Sequence, residues 1–203
     1  MKKEKISPFI NLGASNHSEK ERQTDDFYSS PAVAINELNK KLIKYNINLS
    51  STIVEPGVGS GGIVKPLKQI YPYKNYICFD IVDRGYPNTI VQDFLGVTRE
   101  QINNDNISII ANFPYKDVLS QTIHSLNLLK NGEYLIHLAK IQYLEGKMRF
   151  KLFEEQPPKY VFVFVNRIKC LNNDKDDGAS SAMCFCWFIF EKGFKGNPLI
   201  DWI

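Results

Sequence analysis

The segment Asn112-Phe113-Pro114-Tyr115 combines residue types that could activate an amino group on a base. The exocyclic amine of adenine is a poor nucleophile because its lone pair is conjugated with the ring. The side-chain oxygen of Asn112 and the backbone carbonyl of Phe113 could accept its two hydrogens and draw the nitrogen toward tetrahedral geometry. Pro114 would hold Phe113 extended, and Tyr115 could stack on a base withdrawn from its helix. The alternative is a turn that ends a strand, because Asn and Pro are common turn residues.

A glycine-rich turn lies upstream, in the segment Glu55-Pro-Gly-Val-Gly-Ser-Gly-Gly. Gly57, Gly59 and Gly62 satisfy the pattern G-x-G-x-x-G, and Asp80 follows about 20 residues later at the end of a predicted strand. A nucleotide-binding protein would use this turn for close approach to its ligand and the acid to hold a ribose. The alternative is an ordinary loop whose glycines only permit positive φ angles.

Acidic residues at successive strand ends favour one nucleotide ligand over another. Glu55 ends the first predicted strand, where its charge would repel a pyrophosphate but suit a ligand that carries an ammonium and a sulfonium group. Asp93 could accept a hydrogen bond from an adenine amino group while Phe94 packs against the ring. Because open α/β sheets bind ligands at the carboxyl ends of their strands, these acids predict S-adenosylmethionine rather than NAD.

Strands and helices alternate along the chain and would position these residues. A helix is predicted from Pro31 to Tyr45, with Ser30 as its cap. Parallel β–α units followed by a late strand pair predict a three-layer α/β fold, with a doubly wound, seven-stranded and mostly parallel sheet that has an antiparallel edge. The predicted strands are 51–55, 75–80, 89–93, 107–112, 133–138, 159–165 and 183–191, and the other helices are 62–70 and 118–129.

Composition sets broad limits on what the chain can be. Its 203 residues are 43% hydrophobic and 23% charged with a net charge of +3, which suits a soluble globular protein and permits a polyanionic partner without requiring one. No apolar run of about 18 residues predicts a membrane span, and no signal-like stretch follows Met1, so a cytoplasmic location is expected. Cys184 and Cys186 lie too close in a predicted strand for a zinc site, so buried thiols and no metal are expected.

The organisation of the chain predicts one domain with an arm. Residues 1–25 are polar and aperiodic, which predicts a flexible N-terminal arm, and residues 26–203 are expected to form a single domain. No separate target-recognition domain fits this length, so substrate contacts would come from segments such as 144–153 and 172–181, or from a partner. Basic residues of the second half could contact phosphates or could simply be solvated: Lys140, Lys147, Arg149, Lys151, Lys159, Arg167 and Lys169.

The ordered motifs resemble those of class I S-adenosylmethionine-dependent amino-methyltransferases. Glu-Pro-x-x-Gly-x-Gly at 55–61, Asp80, the Asp93-Phe94 pair and the Asn-x-Pro-Tyr motif at 112–115 look most like the phage and bacterial DNA adenine-N6 methyltransferase group. Weaker stretches at 13–18, 26–31, 142–146, 157–164 and 187–193 extend the resemblance over nearly the whole chain. The resemblance implies a Rossmann-like methyltransferase fold, S-adenosylmethionine as cofactor and DNA as partner.

The resemblance also implies a role for each matching position. Tyr28 and Ser30 would lie near the methionine end of the cofactor, and Glu55, Gly57 and Gly59 would shape its central pocket. Asp80 would hold the ribose hydroxyls, and the pair Asp93-Phe94 would bind the adenine. The target pocket would be formed by Asn112, Phe113, Pro114 and Tyr115.

One position departs from the usual family pattern. Phe113 occupies a position where this group usually has proline. The rRNA adenine dimethyltransferases also have an apolar residue at this position of the motif. The backbone carbonyl survives the change, so the chemistry remains possible. DNA adenine methylation is therefore expected first, with RNA adenine methylation as the alternative. Two other hypotheses remain: a catalytically silent module that binds cofactor or nucleic acid, and an NAD-dependent oxidoreductase. The oxidoreductase hypothesis leaves Glu55 and the Asn-x-Pro-Tyr motif unexplained.

Overall fold

The computed structural model describes residues 28–172, 174 and 183–203. The residues expected to form an N-terminal arm, 1–25, lie outside the described part. Strands in the described part are β1 (Tyr28–Ser29), β2 (Thr52–Pro56), β3 (Asn75–Asp80), β4 (Ile90–Val91), β5 (Ile107–Ala111), β6 (Tyr134–Lys140), β7 (Tyr160–Val163), β8 (Leu171–Asn172), β9 (Phe185–Glu191) and β10 (Leu199–Trp202). Helices are α1 (Ala32–Lys44), α2 (Val64–Ile70), α3 (Arg99–Ile102), α4 (Val118–Leu128) and α5 (Lys147–Glu155), with 3-10 turns at Phe94–Gly96 and Ile141–Leu144.

The main sheet has eight strands in the order β10-β7-β9-β6-β5-β2-β3-β4. β9 runs antiparallel to both of its neighbours, β6 and β7, whereas all the other pairs in this sheet are parallel. A separate two-stranded antiparallel sheet joins β1 to β8. The α/β fold with a mostly parallel sheet and an antiparallel edge is therefore confirmed, and so is the antiparallel pairing of the last two predicted strands.

The sheet has one strand more than predicted, because β10 adds in parallel to the outer side of β7. Three of its four residues are exposed, so it lacks the apolar alternation that marks a strand in a sequence. Asp201 ties it to helix α1: its carboxylate accepts hydrogen bonds from Lys41 (2.5 Å), Lys44 (2.8 Å) and the hydroxyl of Tyr45 (2.8 Å). These hydrogen bonds hold the pKa of Asp201 well below its usual range.

Buried strands build an apolar core on both faces of the sheet. Neighbouring residues of one strand point to opposite faces, so Ile109 and Phe188 join one cluster while Ile110 and Trp187 join the other. The indole N–H of Trp187 donates to the backbone carbonyl of Ala34 (3.0 Å), which docks α1 on the sheet. None of the helices in the described ranges is long and apolar enough to cross a membrane.

The start of helix α1 differs from the prediction. The helix begins at Ala32 with Pro31 as its N-cap residue, and no side chain caps it. Ser30 is buried, and its hydroxyl has no hydrogen-bond partner among the residues described. The proline explains the difference: its ring fixes φ at a value that already suits the first turn and removes one N–H donor that would otherwise need a cap.

His137 lies in the middle of β6, fully buried, and neither of its ring nitrogens has a hydrogen-bond partner. Its ring stacks on Phe188 and Phe190 of β9, with ring centroids 5.4 and 5.7 Å away. Burial lowers the pKa of His137 to about 3. The side chain is therefore neutral near pH 7 and acts as part of the aromatic core.

Replacing His137 with phenylalanine should remove one source of pH-dependent stability. The unfolded chain binds a proton at this side chain below about pH 6.5, whereas the folded chain binds it only below about pH 3. The contribution of His137 to the free energy of unfolding is therefore complete above about pH 6.5 and is lost as the pH falls from there toward about pH 3. Between pH 7 and pH 5, the wild type should lose about 2 kcal/mol more than His137→Phe. Urea unfolding at both pH values measures the difference, and equal losses would contradict a neutral buried ring.

Candidate active site

A cavity of about 500 Å³ opens at the carboxyl edge of the parallel strands. Its walls come from β1, the turn after β2, the end of β3, the segment after β4 and the segment after β5. Every site residue predicted from the sequence lines it: Tyr28, Ser30, Glu55, Gly57, Gly59, Asp80, Asp93, Phe94, Asn112, Phe113, Pro114 and Tyr115. The strand-end positions that the sequence indicated thus converge on one site.

The glycine turn after β2 is held tightly against β3. The backbone N–H groups of Gly57 and Val58 both donate to the carbonyl of Phe79 at 2.8 Å. Gly57 has a φ of +73°, and a Cβ built there would meet nothing within 4 Å, so the turn needs glycine for its backbone conformation and leaves open space above it. A Cβ at Gly62 would come within 3.0 Å of the Ser30 backbone, so this glycine permits the close approach of β1.

Glu55 is buried at the end of β2, in the centre of the sheet. Burial raises the pKa of this carboxyl well above its usual range, although a hydrogen bond from the Val64 backbone opposes the shift and the nearby charge of Asp80 adds to it. One carboxylate oxygen, Oε2, has no hydrogen-bond partner within the described part of the chain. A buried acceptor without a partner is unfavourable in an empty cavity and would be satisfied by a cationic or hydrogen-bonding ligand.

Asp80 ends β3 and organises the loops around it. Its Oδ2 accepts the backbone N–H of Gly59 at 2.8 Å, and its Oδ1 accepts that of Val82 at 3.1 Å. The Nε of Arg84 lies 3.5 Å from Oδ1 and forms an ion pair with it. A carboxylate has about four acceptor positions, so Asp80 can hold the glycine turn and still accept from a ligand.

Asp93 and Phe94 follow β4 and differ in burial. Asp93 is exposed, and its Oδ1 accepts the backbone N–H of Leu95 at 3.0 Å, which caps a short 3-10 turn. Phe94 is buried against Phe79 and His124, with ring centroids 5.8 and 5.3 Å away, and it also lines the cavity. The pair therefore presents a carboxylate at the rim beside an immobilised aromatic ring.

The amide of Asn112 is fixed by the backbone of β1. Its Nδ2 donates to the carbonyl of Tyr28 at 2.8 Å and lies 3.9 Å from the sulfur of Cys170. With its nitrogen engaged, the amide retains Oδ1 as the acceptor for a ligand. Tyr28 and Asn112 are 84 positions apart, so no local sequence signal could have indicated this contact.

Phe113 is 97% buried, and its ring packs on His137 with the centroids 5.5 Å apart. The aromatic residue that departs from the family pattern thus fills space in the core, where its ring contacts the β6 layer. Tyr115 is less buried, and its ring lies 5.6 Å from that of Tyr28 at an angle of 36°. The Nζ of Lys140 lies 4.2 Å from the centre of the Tyr115 ring.

Sequence reasoning missed several residues of this site. Gln121 of α4 lines the cavity, and its buried Oε1 has no hydrogen-bond partner. Arg84 pairs with Asp80 from only four positions away. Cys170 and Lys140 contact Asn112 and Tyr115 from distant segments, and the sequence had drawn attention to them only as a thiol and as a basic residue. The predicted buried thiols are present at Cys78 and Cys186, and burial raises the pKa of each thiol to about 12. Cys170 and Cys184 are partly buried.

Comparison with known proteins rests on structure alone, because no protein-family model and no curated protein sequence matches the chain. A protein from Listeria monocytogenes, described as a class I S-adenosylmethionine-dependent methyltransferase, superposes with a TM-score of 0.55 and 13% identity over 96% of this chain and 69% of its own. The fold is that of class I methyltransferases. The predicted fold class is thereby confirmed.

Two further structures with this fold belong to proteins whose names mention RNA or the modification subunit of a restriction enzyme. A protein from Pyrococcus horikoshii described as an RNA methyltransferase matches with a TM-score of 0.52 and 15% identity over 93% of this chain and 96% of its own. A modification subunit ascribed to a type I restriction enzyme of Vibrio vulnificus matches with a TM-score of 0.54 and 10% identity. The match covers 85% of this chain and 45% of the subunit. Proteins described as O-methyltransferases and as haemolysins share the fold too, so the fold alone does not select the substrate.

Replacing Asp80 with alanine should loosen the glycine turn as well as the cavity wall. The change removes acceptors for the Gly59 and Val82 N–H groups, and we expect the free energy of unfolding to fall by about 1.5–3 kcal/mol. Asp83→Ala is the matched control, because Asp83 also accepts a backbone N–H, from Gly85 at 2.8 Å, but in an exposed loop. Urea unfolding compares the two variants, and a loss at Asp80 no larger than that at Asp83 would contradict the organising role.

Proposed function

We propose that the protein transfers a methyl group from S-adenosylmethionine to the N6 amino group of adenine in DNA. The observation that carries this proposal is the Asn112 amide, which the Tyr28 carbonyl holds by its nitrogen at the wall of the cavity. This arrangement leaves an oxygen acceptor next to Tyr115, which can stack on a base. A site built to bind an amine needs acceptors at this position, and the motif supplies two of them.

The cavity fits the proposed cofactor by the chemistry of its unsatisfied groups. Three buried atoms have no hydrogen-bond partner among residues 28–172, 174 and 183–203, and their residues all line the cavity: Glu55 Oε2, Ser30 Oγ and Gln121 Oε1. An ammonium group would satisfy Glu55, and the ribose hydroxyls would donate to the remaining acceptor positions of Asp80. Asp93 and Phe94 would hold the adenine. When bound, S-adenosylmethionine supplies an electrophilic methyl group on a positively charged sulfur.

The residues after β5 would prepare the amine for attack. Asn112 Oδ1 and the Phe113 carbonyl accept its hydrogens, and these bonds strengthen as positive charge develops on the nitrogen. Pro114 keeps Phe113 extended, and the ring of Phe113 is anchored in the core, so its carbonyl has a fixed direction. Tyr115 supports the plane of the base. The methylated nitrogen is a strong acid while it carries its extra proton and releases it to water.

RNA adenine is the second candidate substrate, and Phe113 is the observation that favours it. The same observation supports a silent module in which the cavity binds its ligands without transfer. One experiment separates the three: the purified protein is incubated with genomic DNA or total RNA and with S-adenosylmethionine that carries a deuterated methyl group. Mass spectrometry of the released nucleosides should find deuterated N6-methyladenine from DNA. Label from RNA alone would favour the second candidate, and no label with cofactor binding intact would favour the module.

Asn112→Ala should lower turnover by about two to three powers of ten, because it removes an acceptor whose bond is stronger in the transition state than in the ground state. Cofactor binding should stay nearly unchanged. Asn48→Ala is the control, since Asn48 is an exposed asparagine in the loop that precedes β2, at the opposite edge of the sheet. Single-turnover methylation measures both variants, and a wild-type rate for Asn112→Ala would disprove the mechanism.

Cofactor affinity should depend on the ionisation of Glu55. Burial raises the pKa of this carboxyl, so acidic solution neutralises it before an ordinary glutamate. A ligand ammonium favours the charged form, so the affinity should be full where both the Glu55 carboxylate and the ligand ammonium are charged. It should fall up to about tenfold per pH unit once the pH drops below the Glu55 pKa of the free protein. Calorimetric titration with S-adenosylmethionine at a series of pH values, from alkaline to acidic over the range in which the protein stays folded, tests this. Glu55→Gln should bind more weakly and lose the dependence; an unchanged pH profile would exclude Glu55 as the partner of the ammonium.

A further inference from the structure

Gln121 places a polar side chain in the wall of the cavity beside Phe94. Its backbone N–H donates to the carbonyl of Asp117 at 2.9 Å, so it belongs to the first turn of helix α4. Helix α4 packs against the 3-10 turn at Phe94–Gly96, and the rings of His124 and Phe94 have their centroids 5.3 Å apart. Residues three apart share one face of a helix, so Gln121 lies on the same side of α4 as His124. Gln121 and Phe94 therefore line the same end of the cavity.

The side-chain oxygen of Gln121 is an acceptor that awaits a donor. Gln121 is only 9% exposed, and its Oε1 is buried with no hydrogen-bond partner among the residues that the structure describes. A buried acceptor in this state is unfavourable, and a ligand that brings a donor removes the penalty. This end of the cavity is thus suited to a flat ring that packs beside Phe94 and carries a hydrogen-bond donor on its edge.

The proposed cofactor has three kinds of hydrogen-bond donor, and two of them have acceptors elsewhere in the cavity. The ammonium would meet Glu55, and the two ribose hydroxyls would donate to Asp80. The remaining donor is the amino group at C6 of the adenine, whose ring would pack beside Phe94. We propose that Gln121 accepts a hydrogen bond from this amino group and that Gln121, rather than Asp93, sets the preference for adenine in the cofactor. This inference rests on the proposed cofactor and adds one residue that selects it.

The two acceptors at this end of the cavity differ in their exposure to water. Asp93 is exposed at the rim, and its Oδ1 already accepts the backbone N–H of Leu95 at 3.0 Å. Water can replace a hydrogen bond that is lost at the rim, so a ligand without the amino group loses little affinity there. At Gln121 the same ligand would leave the buried oxygen without a partner, and sites of this kind discriminate strongly against such a ligand.

The test measures how much the affinity of each variant depends on the amino group. The probes are S-adenosylhomocysteine and its 6-deamino analogue, in which a hydrogen atom replaces the amino group, and calorimetric titration without nucleic acid gives the affinity for both. The wild type should bind S-adenosylhomocysteine about 10- to 100-fold more tightly than the analogue. Gln121→Met keeps the size of the side chain and removes its amide, so this ratio should fall to about threefold or less. Asp93→Asn should keep most of the wild-type ratio.

Asn127→Leu is the matched control, because Asn127 carries an exposed side-chain amide on the same helix α4. Its affinity ratio should equal that of the wild type. An unchanged ratio in Gln121→Met would overturn the inference, even if both probes bind more weakly, and would mean that the amide only shapes the wall. An equal fall of the ratio in Asn127→Leu would overturn it too. A ratio that collapses in Asp93→Asn and persists in Gln121→Met would assign the selectivity to Asp93 instead.

Failure of the inference can be told apart from failure of the proposed function. If the wild type binds S-adenosylhomocysteine and methylates adenine, an unchanged ratio in Gln121→Met disproves the role of Gln121 alone. If the wild type binds neither probe, the proposed function and the inference fall together. Thermal unfolding of the ligand-free Gln121→Met variant should occur at or above the wild-type temperature, because the change removes a buried acceptor without a partner. A clearly lower temperature would mean that the amide has a partner within the folded protein, which would overturn the inference.

Discussion

The buried carboxyl group of Glu55 is the constraint around which the site is arranged. It lies on β2, flanked by β3 and β5, and one of its oxygens has no hydrogen-bond partner among the residues that the structure describes. Withdrawing a carboxylate from water is unfavourable unless a cation or hydrogen-bond donor replaces the water. The sheet keeps the group in place, the glycine turn keeps the space above it open, and Asp80 holds that turn. A ligand that carries a positive charge offsets the unfavourable burial, which is the physical reason for preferring S-adenosylmethionine to a pyrophosphate nucleotide.

The Asn-x-Pro-Tyr segment at 112–115 depends on the core beneath it. Phe113 is anchored on His137, and His137 is stacked between rings of β9, so the segment after β5 rests on a continuous aromatic layer. On its other side, the Tyr28 carbonyl holds the Asn112 amide. Position 113 can therefore carry an aromatic residue, because the side chain is buried in the core and packs on His137.

Much of the site could be predicted from the sequence because its residues follow strand ends, and parallel strands bring their ends to one edge. Local sequence patterns were enough to predict that Gly57, Asp80 and Asn112 lie at this edge. The contacts between them could not be predicted, since they join segments with no shared local signal: Tyr28 to Asn112, Lys140 to Tyr115. Strand β10 was missed for a similar reason, because Asp201 and its partners on α1 hold it in place while its own residues show little apolar alternation.

Calorimetric titration of the wild-type protein with S-adenosylmethionine and with NAD tests the central claim most directly. The two ligands share an adenosine but differ where Glu55 lies, one with an ammonium and a sulfonium, the other with a pyrophosphate. The account predicts saturable binding of S-adenosylmethionine at one site and no detectable binding of NAD. Binding of NAD in preference to S-adenosylmethionine would contradict it.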